Sequence, residues 1–346
     1  MVAPSAILDV VVIGGGLSGL SVAHRLHHRC AGLKWTLLEA RSVLGGRLAN
    51  DENGIDMGGT WIWSQPHVQA LIRDLQIRHA LDTFPQPDDP SSTRIRGGAV
   101  KLPLLLAREL PDDSIRLDTP VKSCTREGSL VRIDTTTGDS LWARKVVFAA
   151  PPRILQMIDY EPALSPSKQA AWSASHTWMA GVTKVALIYK EHFWKRHSNM
   201  GLPGSPAFQV YDSGTAEKPA LTAFALAPAR ASDATLATQV AHQLARVWEY
   251  FGEREASHKV AQFDAFSVKR WPIESFLSED PEPTQIHPHP MPVAALATPE
   301  WDGLLEFAGS ESDQRDPGVM EGAIGAAVRV VDALEDWWEQ VPKDEL

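Results

Sequence analysis

Hydrophobic and polar positions follow several rhythms along this chain, and each rhythm predicts a different element. The apolar run Leu8 to Ile13 is too short for a helix and reads as a strand buried on both faces. Gly14-Gly15-Gly16-Leu17-Ser18-Gly19 breaks it, and apolar residues at helical spacing then predict an amphipathic helix from Leu17 to His28. A short strand at Trp35 to Leu38 and a helix from Gln65 to Ile77 come next, then a breaker-rich loop from Thr83 to Thr93. Ile115 to Lys122 reads as a strand and turn, Leu130 to Thr135 as an alternating strand, and Lys145 to Pro152 as a buried strand stopped by prolines. Past Arg153 the pattern changes. Ile154 to Ile158 is short and helical, and Glu161 to Ser167 is a linker-like turn. Strands are expected at Thr183–Tyr189, Ala207–Tyr211, Ala220–Ala227 and Phe263–Trp271. A helix from Ala234 to Phe251 carries Val240, Leu244, Val247 and Phe251 on one face, a stripe that suits a core. A strand from Leu304 and a helix opened by Gly318 and reaching Trp338 close the chain.

This order predicts an α/β protein that begins with a Rossmann-like dinucleotide domain and, past Arg153, crosses into a second, α+β domain. The glycines locate the first site. Gly14 permits a tight turn, Gly16 lets the backbone approach a pyrophosphate, and Gly19 lets helix and strand pack closely. The N–H groups of Leu17 and Ser18 would then face the phosphates from a helix N-terminus. Glu39, about twenty residues on and at the end of the second strand, is placed to hold a ribose hydroxyl. Ala40-Arg41 follows it. Gly45-Gly46-Arg47 suits a loop around a second phosphate or a ring edge, since a guanidinium can donate two parallel bonds. Gly58-Gly59-Thr60-Trp61 offers another glycine pair beside which a flat ring could lie.

Bulk properties narrow the partners. Lys plus Arg number 33 against 43 Asp plus Glu, a net charge of −10, and no basic run occurs, which argues against nucleic acid or an anionic membrane surface. No apolar run is long enough to span a membrane. The two cysteines, Cys30 and Cys124, fit a reducing, cytoplasmic compartment, and a strand starting within ten residues of Met1 leaves no room for a cleavable leader. The terminal Lys343-Asp344-Glu345-Leu346 spells a retrieval signal, but without an entry signal it reads as a charged, frayed end. His27-His28 and His287-Pro288-His289 show no third ligand at metal spacing, so no metal is expected. Neither a serine elbow nor a C-x-x-C motif is present.

Together, the glycine fingerprint, Leu38-Glu39-Ala40-Arg41, Gly45-Gly46-Arg47 and Asp56-Met57-Gly58-Gly59-Thr60-Trp61 resemble the flavin-containing amine oxidase family, which includes the monoamine oxidases. Phe307-Ala308-Gly309-Ser310-Glu311 followed by Gly318-Val319-Met320-Glu321-Gly322-Ala323 resembles the family's C-terminal pair of motifs. The resemblance implies FAD, an amine substrate and dioxygen, with a Rossmann-like FAD-binding domain discontinuous in sequence (1–75, 97–153 and 268–346) and an α+β substrate domain (76–96 and 154–267). It places Val121 at the adenine end and Ala149 to Pro151 close to the cofactor. Gly309, Ser310, Glu311, Val319, Met320 and Ala323 would lie at the flavin end, where a helix N-terminus favours negative charge on the reduced ring.

The same resemblance assigns three chemical roles. Lys184, in an apolar strand upstream of Phe193-Trp194, would be linked through a water to flavin N5. Trp271 would pack by the ring, and Val319 would shape the substrate face. The family's flavin-linking cysteine has no counterpart in Ser275 to Pro283, so FAD is expected to be held non-covalently. Its paired tyrosines are also missing: one position is Val319 and the other falls in the acidic Ser278 to Pro283 loop. Trp61, Trp63, Trp178, Phe208, Tyr211 and Phe276 are the candidates for a rebuilt cage. The family's long segment near Thr83–Thr93 is largely missing, leaving a roof that is reduced, rebuilt from other residues or supplied by a second copy in a homo-oligomer. Two other functions remain open: a flavin desaturase or dehydrogenase of a non-amine, and a non-catalytic flavin-binding protein.

Overall fold

The computed structural model describes residues 7–83, 91–194, 206–215, 217–227, 231–278 and 286–342. Its first third holds β1 (Ile7–Ile13), α1 (Leu17–Arg29), β2 (Trp35–Leu38), α2 (Pro66–Asp74), β3 (Leu81–Thr83), β4 (Thr93–Ile95), α3 (Lys101–Arg108) and β5 (Ile115–Arg116). The middle holds β6 (Val121–Glu127), β7 (Leu130–Thr135), β8 (Ser140–Phe148), α4 (Pro152–Leu155), β9 (Asp159–Glu161), α5 (Pro166–Ala174), β10 (Thr183–Ile188), β11 (Ala207–Asp212) and β12 (Ala220–Ala225). The remainder holds α6 (Asp233–Tyr250), α7 (Arg254–Val260), β13 (Ala265–Arg270), α8 (Ala294–Ala297), β14 (Leu305–Phe307) and α9 (Met320–Gln340). Among the described residues, no helix is long and apolar enough to cross a membrane. The Lys343–Leu346 tail lies outside the described residues.

The larger sheet has the order β5-β2-β1-β8-β7-β6-β9, with β14 beside the second half of β8. Strands β5, β2, β1, β8 and β14 run parallel, whereas β7 is antiparallel to both β6 and β8. The Val-Val-Val-Ile run of β1 is continuous because both of its faces are covered. Val10 and Val12 pack on one side with α1, α3 and α9, whereas Val11 and Ile13 pack on the other with Phe148, Trp172 and Phe307. The first strand past Arg153, β9, pairs with β6 and so extends the large sheet.

The smaller sheet, β11-β12-β10-β13, is antiparallel throughout. In β10, Val185 and Leu187 pack against α6 and α7, while Ala186 and Ile188 meet Ile55 and Met57 from the other side. Period-two alternation therefore turns Lys184 away from the α6 core and toward the glycine loop at 58–60.

Candidate functional site

The parallel strands end at one cavity of about 430 Å³, which is walled on one side by β1, α1 and the C-terminal segment and on the other by β10 and β12. Where β1 meets α1, Gly14 adopts φ +112°, open only to glycine, and its N–H donates to Leu38 O at 2.8 Å. A Cβ on Gly19 would sit 1.9 Å from Gly14 O, so helix and strand touch backbone to backbone there. Gly16 is different. It is extended at φ −81°, ψ −176°, which any residue can adopt, and the nearest atom to a Cβ would be Gly46 Cα at 3.7 Å. Neither backbone nor neighbour requires a glycine at 16, whereas a ligand lying against it would. Because α1 has no acidic residue in its first turn and no side-chain cap, its first N–H groups are not taken by a carboxylate of the helix itself. This cradle fits a pyrophosphate.

Glu39 is buried beside the cradle: Oε2 accepts from Gly15 N–H at 2.6 Å and Oε1 from Arg41 N–H at 2.9 Å. Each oxygen keeps a second lone pair for a ribose hydroxyl. Ala40, Arg41, Gly45, Gly46, Val121, Ala149 and Pro151 continue the wall, while Gly58, Gly59, Thr60, Trp61, Trp271, Ser310, Val319, Met320 and Ala323 line its other end. Val319 caps α9, so that helix also opens onto the cavity.

Several residues expected to touch the cofactor stand elsewhere or are engaged by the protein. Gly19, Gly309 and Glu311 lie behind the wall, where a Cβ on Gly309 would meet Ala150 O at 2.8 Å. The Ser18 hydroxyl donates to Ala308 O, leaving its backbone N–H as the donor it can offer a phosphate. Arg47 turns its fork on buried Glu311, with Nη1 to Oε1 at 2.7 Å and Nη2 to Oε2 at 3.2 Å, while Nη2 also meets Ser310 Oγ at 2.6 Å. Arg41 is paired with Glu274 at 3.1 Å. These guanidiniums tie the wall together as they line it.

At the far end sits Lys184, 3% exposed. Its Nζ donates among Gly58 O (2.6 Å), Tyr211 Oη (2.8 Å), Thr60 Oγ1 (3.1 Å) and Asp56 O (3.2 Å). Burial pushes this ammonium below the ordinary lysine range, opposed by the Asp56 carboxylate. Burial likewise pushes Asp56 upward, opposed by Lys184 and by the Ala99 N–H it accepts at 2.8 Å. Trp271 is anchored by its indole N–H to Met57 O at 2.7 Å.

Of the aromatic cage candidates, Trp61, Trp63, Trp178 and Phe276 reach the cavity. Tyr211 stands behind Trp61, ring centroids 4.8 Å apart, and Phe208 packs on Phe224. Among the lining residues that the sequence did not single out are Phe224 and Gln65. Phe224 is the cross-strand partner of Lys184, and that register was the available signal. Gln65, at the start of α2, is a buried residue of the cavity lining whose side-chain oxygen has no hydrogen-bond partner; nothing in its sequence context marks it. On the opposite side of α1, the expectation that the histidines lack a third ligand meets an unforeseen grouping, because His24, His28 and Glu109 come together.

The family model for flavin containing amine oxidoreductases matches residues 86–334, and that for an NAD(P)-binding Rossmann-like domain matches residues 12–75. The chain belongs to the flavin-containing amine oxidoreductase family. A flavin-containing amine oxidase of Danio rerio is 26% identical over 282 residues, covering 78% of this chain and 52% of the relative. A probable flavin-containing monoamine oxidase A of Dictyostelium discoideum is 25% identical over 255 residues, covering 70% and 53%. The chain thus spans about half the length of the curated relatives it matches. A putrescine oxidase bound to putrescine shares the fold with a TM-score of 0.75 at 18% identity, over 96% of this chain and 99% of that one.

Proposed function

We propose that this member of the family is an amine oxidase, converting an amine and dioxygen to an imine and hydrogen peroxide, the imine then hydrolysing to a carbonyl product. Bound FAD supplies the hydride acceptor and the site of reoxidation by dioxygen. The observation that carries this reading is the continuity of one cavity from the glycine cradle at 14–19 to the buried cation of Lys184, within a chain of this family.

The chain's own residues divide the remaining work. The α1 N-terminus and the glycine cradle hold the pyrophosphate, Glu39 the ribose, and the wall around Val121 the adenine end. The α9 N-terminus at Val319 and Met320 opens onto the cavity, with the first-turn carboxylate of Glu321 turned to the His67 and Val68 N–H groups, so its backbone N–H groups would favour negative charge on a ring bound there. Lys184 Nζ holds a proton at the far end; its water-linked contact to the hydride-accepting nitrogen is carried over from the family. Trp61, Trp178, Phe224 and Phe276 form an apolar wall against which the carbon skeleton of an amine can pack and exclude water. Cys30 and Cys124 are both buried and neither lines the cavity, so FAD is held without a thioether.

The test is the visible spectrum of the purified protein under anaerobic addition of primary, secondary and tertiary amines. Amines should bleach the flavin absorbance, and admitting air should restore it with stoichiometric peroxide. Bleaching by a non-amine alone would favour a desaturase, the reading that Val319 at a tyrosine position motivates, and would refute the amine oxidase.

A further inference from the structure

We propose that His24, His28 and Glu109 form a surface site for a divalent zinc-class cation, which staples the C-terminal half of α1 to the end of α3. Helical geometry brings the first two together: residues four apart lie on one face of α1, one turn above the other. Their ring centroids are 4.4 Å apart, and the Nε2 atoms of both approach the same carboxylate. Glu109 arrives from a different element, as the residue that ends α3. His24 Nε2 lies 2.7 Å and His28 Nε2 3.8 Å from the same carboxylate oxygen, Oε2. All three ligand atoms fall within 4.8 Å of one another. Zinc bound tetrahedrally at about 2.0–2.1 Å holds its ligand atoms about 3.3 Å apart, and the two separations to Oε2 bracket that value. Small side-chain rotations are enough to form the site.

The donor set selects the ion. Two imidazole nitrogens and one carboxylate oxygen suit zinc, nickel or copper, whereas magnesium and calcium prefer oxygen ligands throughout. The side chains are 22%, 50% and 49% exposed, so an ion can enter from solvent and keep a water as its fourth ligand. None of the three lines the cavity, which α1 reaches only through its opposite end. The site therefore acts on stability and on the anchoring of α1, leaving substrate chemistry alone.

The protein as purified, freed of any affinity tag and treated with a chelator before desalting, is titrated with zinc chloride against a colorimetric chelator and melted with and without zinc. One zinc per chain should bind saturably, raising the thermal midpoint by an amount that grows with zinc concentration, while magnesium has no effect. H28Q should weaken binding by at least about tenfold, E109Q should do likewise, and H24Q/H28Q should remove the saturable site. Circular dichroism of each variant reports that the fold is intact, so lost zinc binding with an unchanged spectrum is loss of the site. Absence of saturable binding by the parent chain overturns the proposal. So does H24Q/H28Q retaining parental stoichiometry and affinity, which would move zinc to other histidines, such as the stacked His176 and His287.

Discussion

Two alanine substitutions three residues apart should fail in different ways. In Gly19→Ala the new methyl would sit 1.9 Å from Gly14 O and 3.1 Å from Gly14 C, backbone atoms that cannot swing aside. Ordinary contact begins near 3.4 Å, so α1 must retreat from β1 by about 1.5 Å. Overpacking of this kind costs about 1–3 kcal/mol. With an unfolding entropy of about 2.1 cal/mol/K per residue, a chain of 346 residues loses about 1–4 °C of thermal midpoint, with or without cofactor. In Gly16→Ala the methyl meets only Gly46 Cα, at 3.7 Å, and the backbone angles are ordinary. The apo-protein should melt like the parent. The methyl instead occupies the surface where the pyrophosphate lies, displacing one or two charge-assisted N–H contacts worth about 1.5–3 kcal/mol each. A loss of about 3 kcal/mol is about 150-fold in FAD affinity. Titrating each apo-protein with FAD, following flavin fluorescence, and melting it alone separates the two effects. Parental FAD affinity in Gly16→Ala would show that the cradle holds no phosphate, and a lowered apo midpoint would show that the fold itself needs this glycine.

Lys184→Met keeps the length of the side chain but removes the buried cation; it should retain FAD yet slow flavin reduction or reoxidation at least about tenfold, about 1.4 kcal/mol of barrier, by stopped-flow absorbance. Unchanged rates in both directions would discard the role assigned to this lysine. Gln65→Leu removes a buried acceptor with no partner and no capping bond in α2, so the apo-protein should melt no lower than the parent while KM for the amine or Kd for FAD rises about tenfold. Lys168, buried with Nζ on Thr298 O at 2.6 Å and over the Phe307 ring at 3.6 Å, is lowered by burial to about 7, with Glu300 and Glu306 opposing and Arg329 assisting. Between pH 7 and the unfolded value of about 10.4 the unfolded chain binds the extra proton, so stability should rise with pH, by at most about 1.4 kcal/mol per unit. Lys168→Met should flatten that slope in denaturant titrations at pH 7, 8 and 9, and an unchanged slope would refute the assignment.

How much of this was legible in the chain depended on where each signal lay. The β1–α1–β2 unit could be read because a strand buried on both faces is apolar throughout and the glycines sit between strand and helix. The helices α3 and α5 were hidden by their prolines. Pro103 falls within the first turn of α3 and Pro166 opens α5 directly after the Ser165 cap, positions where a missing N–H costs a helix nothing, yet neither stretch was assigned as a helix from the sequence. The start of β8 was missed for another reason: its first residues, from Ser140, alternate against β7 at half-buried positions, and only the part from Lys145 onward carries the apolar run. At the site, Lys184 could be placed through the family's motif. Phe224 could have been placed from cross-strand register, which the sequence does not display directly.

The largest difference concerns Arg47 and Glu311, each expected at the cofactor: Arg47 does line the cavity but turns its fork on Glu311, which lies behind the wall. In isolation that reading is reasonable, since a buried arginine or glutamate needs an opposite charge, and a motif viewed locally offers only the ligand. The fold supplies a partner 264 residues away in sequence, and the two side chains neutralise each other in a bidentate pair. Breaking such a pair leaves an uncompensated buried charge, a larger penalty than the pair's net contribution. Their coupling thus locks the N-terminal glycine loops to the segment leading into α9, two pieces of chain that must both be in place before the cavity has two ends. What these two motifs record is the joining of distant pieces of chain at one wall of the cavity. Residues that the protein alone does not require, such as Gly16, and residues that tie the protein to itself, such as Arg47 and Glu311, look alike in sequence. They part only when each is asked whether the protein alone already explains it.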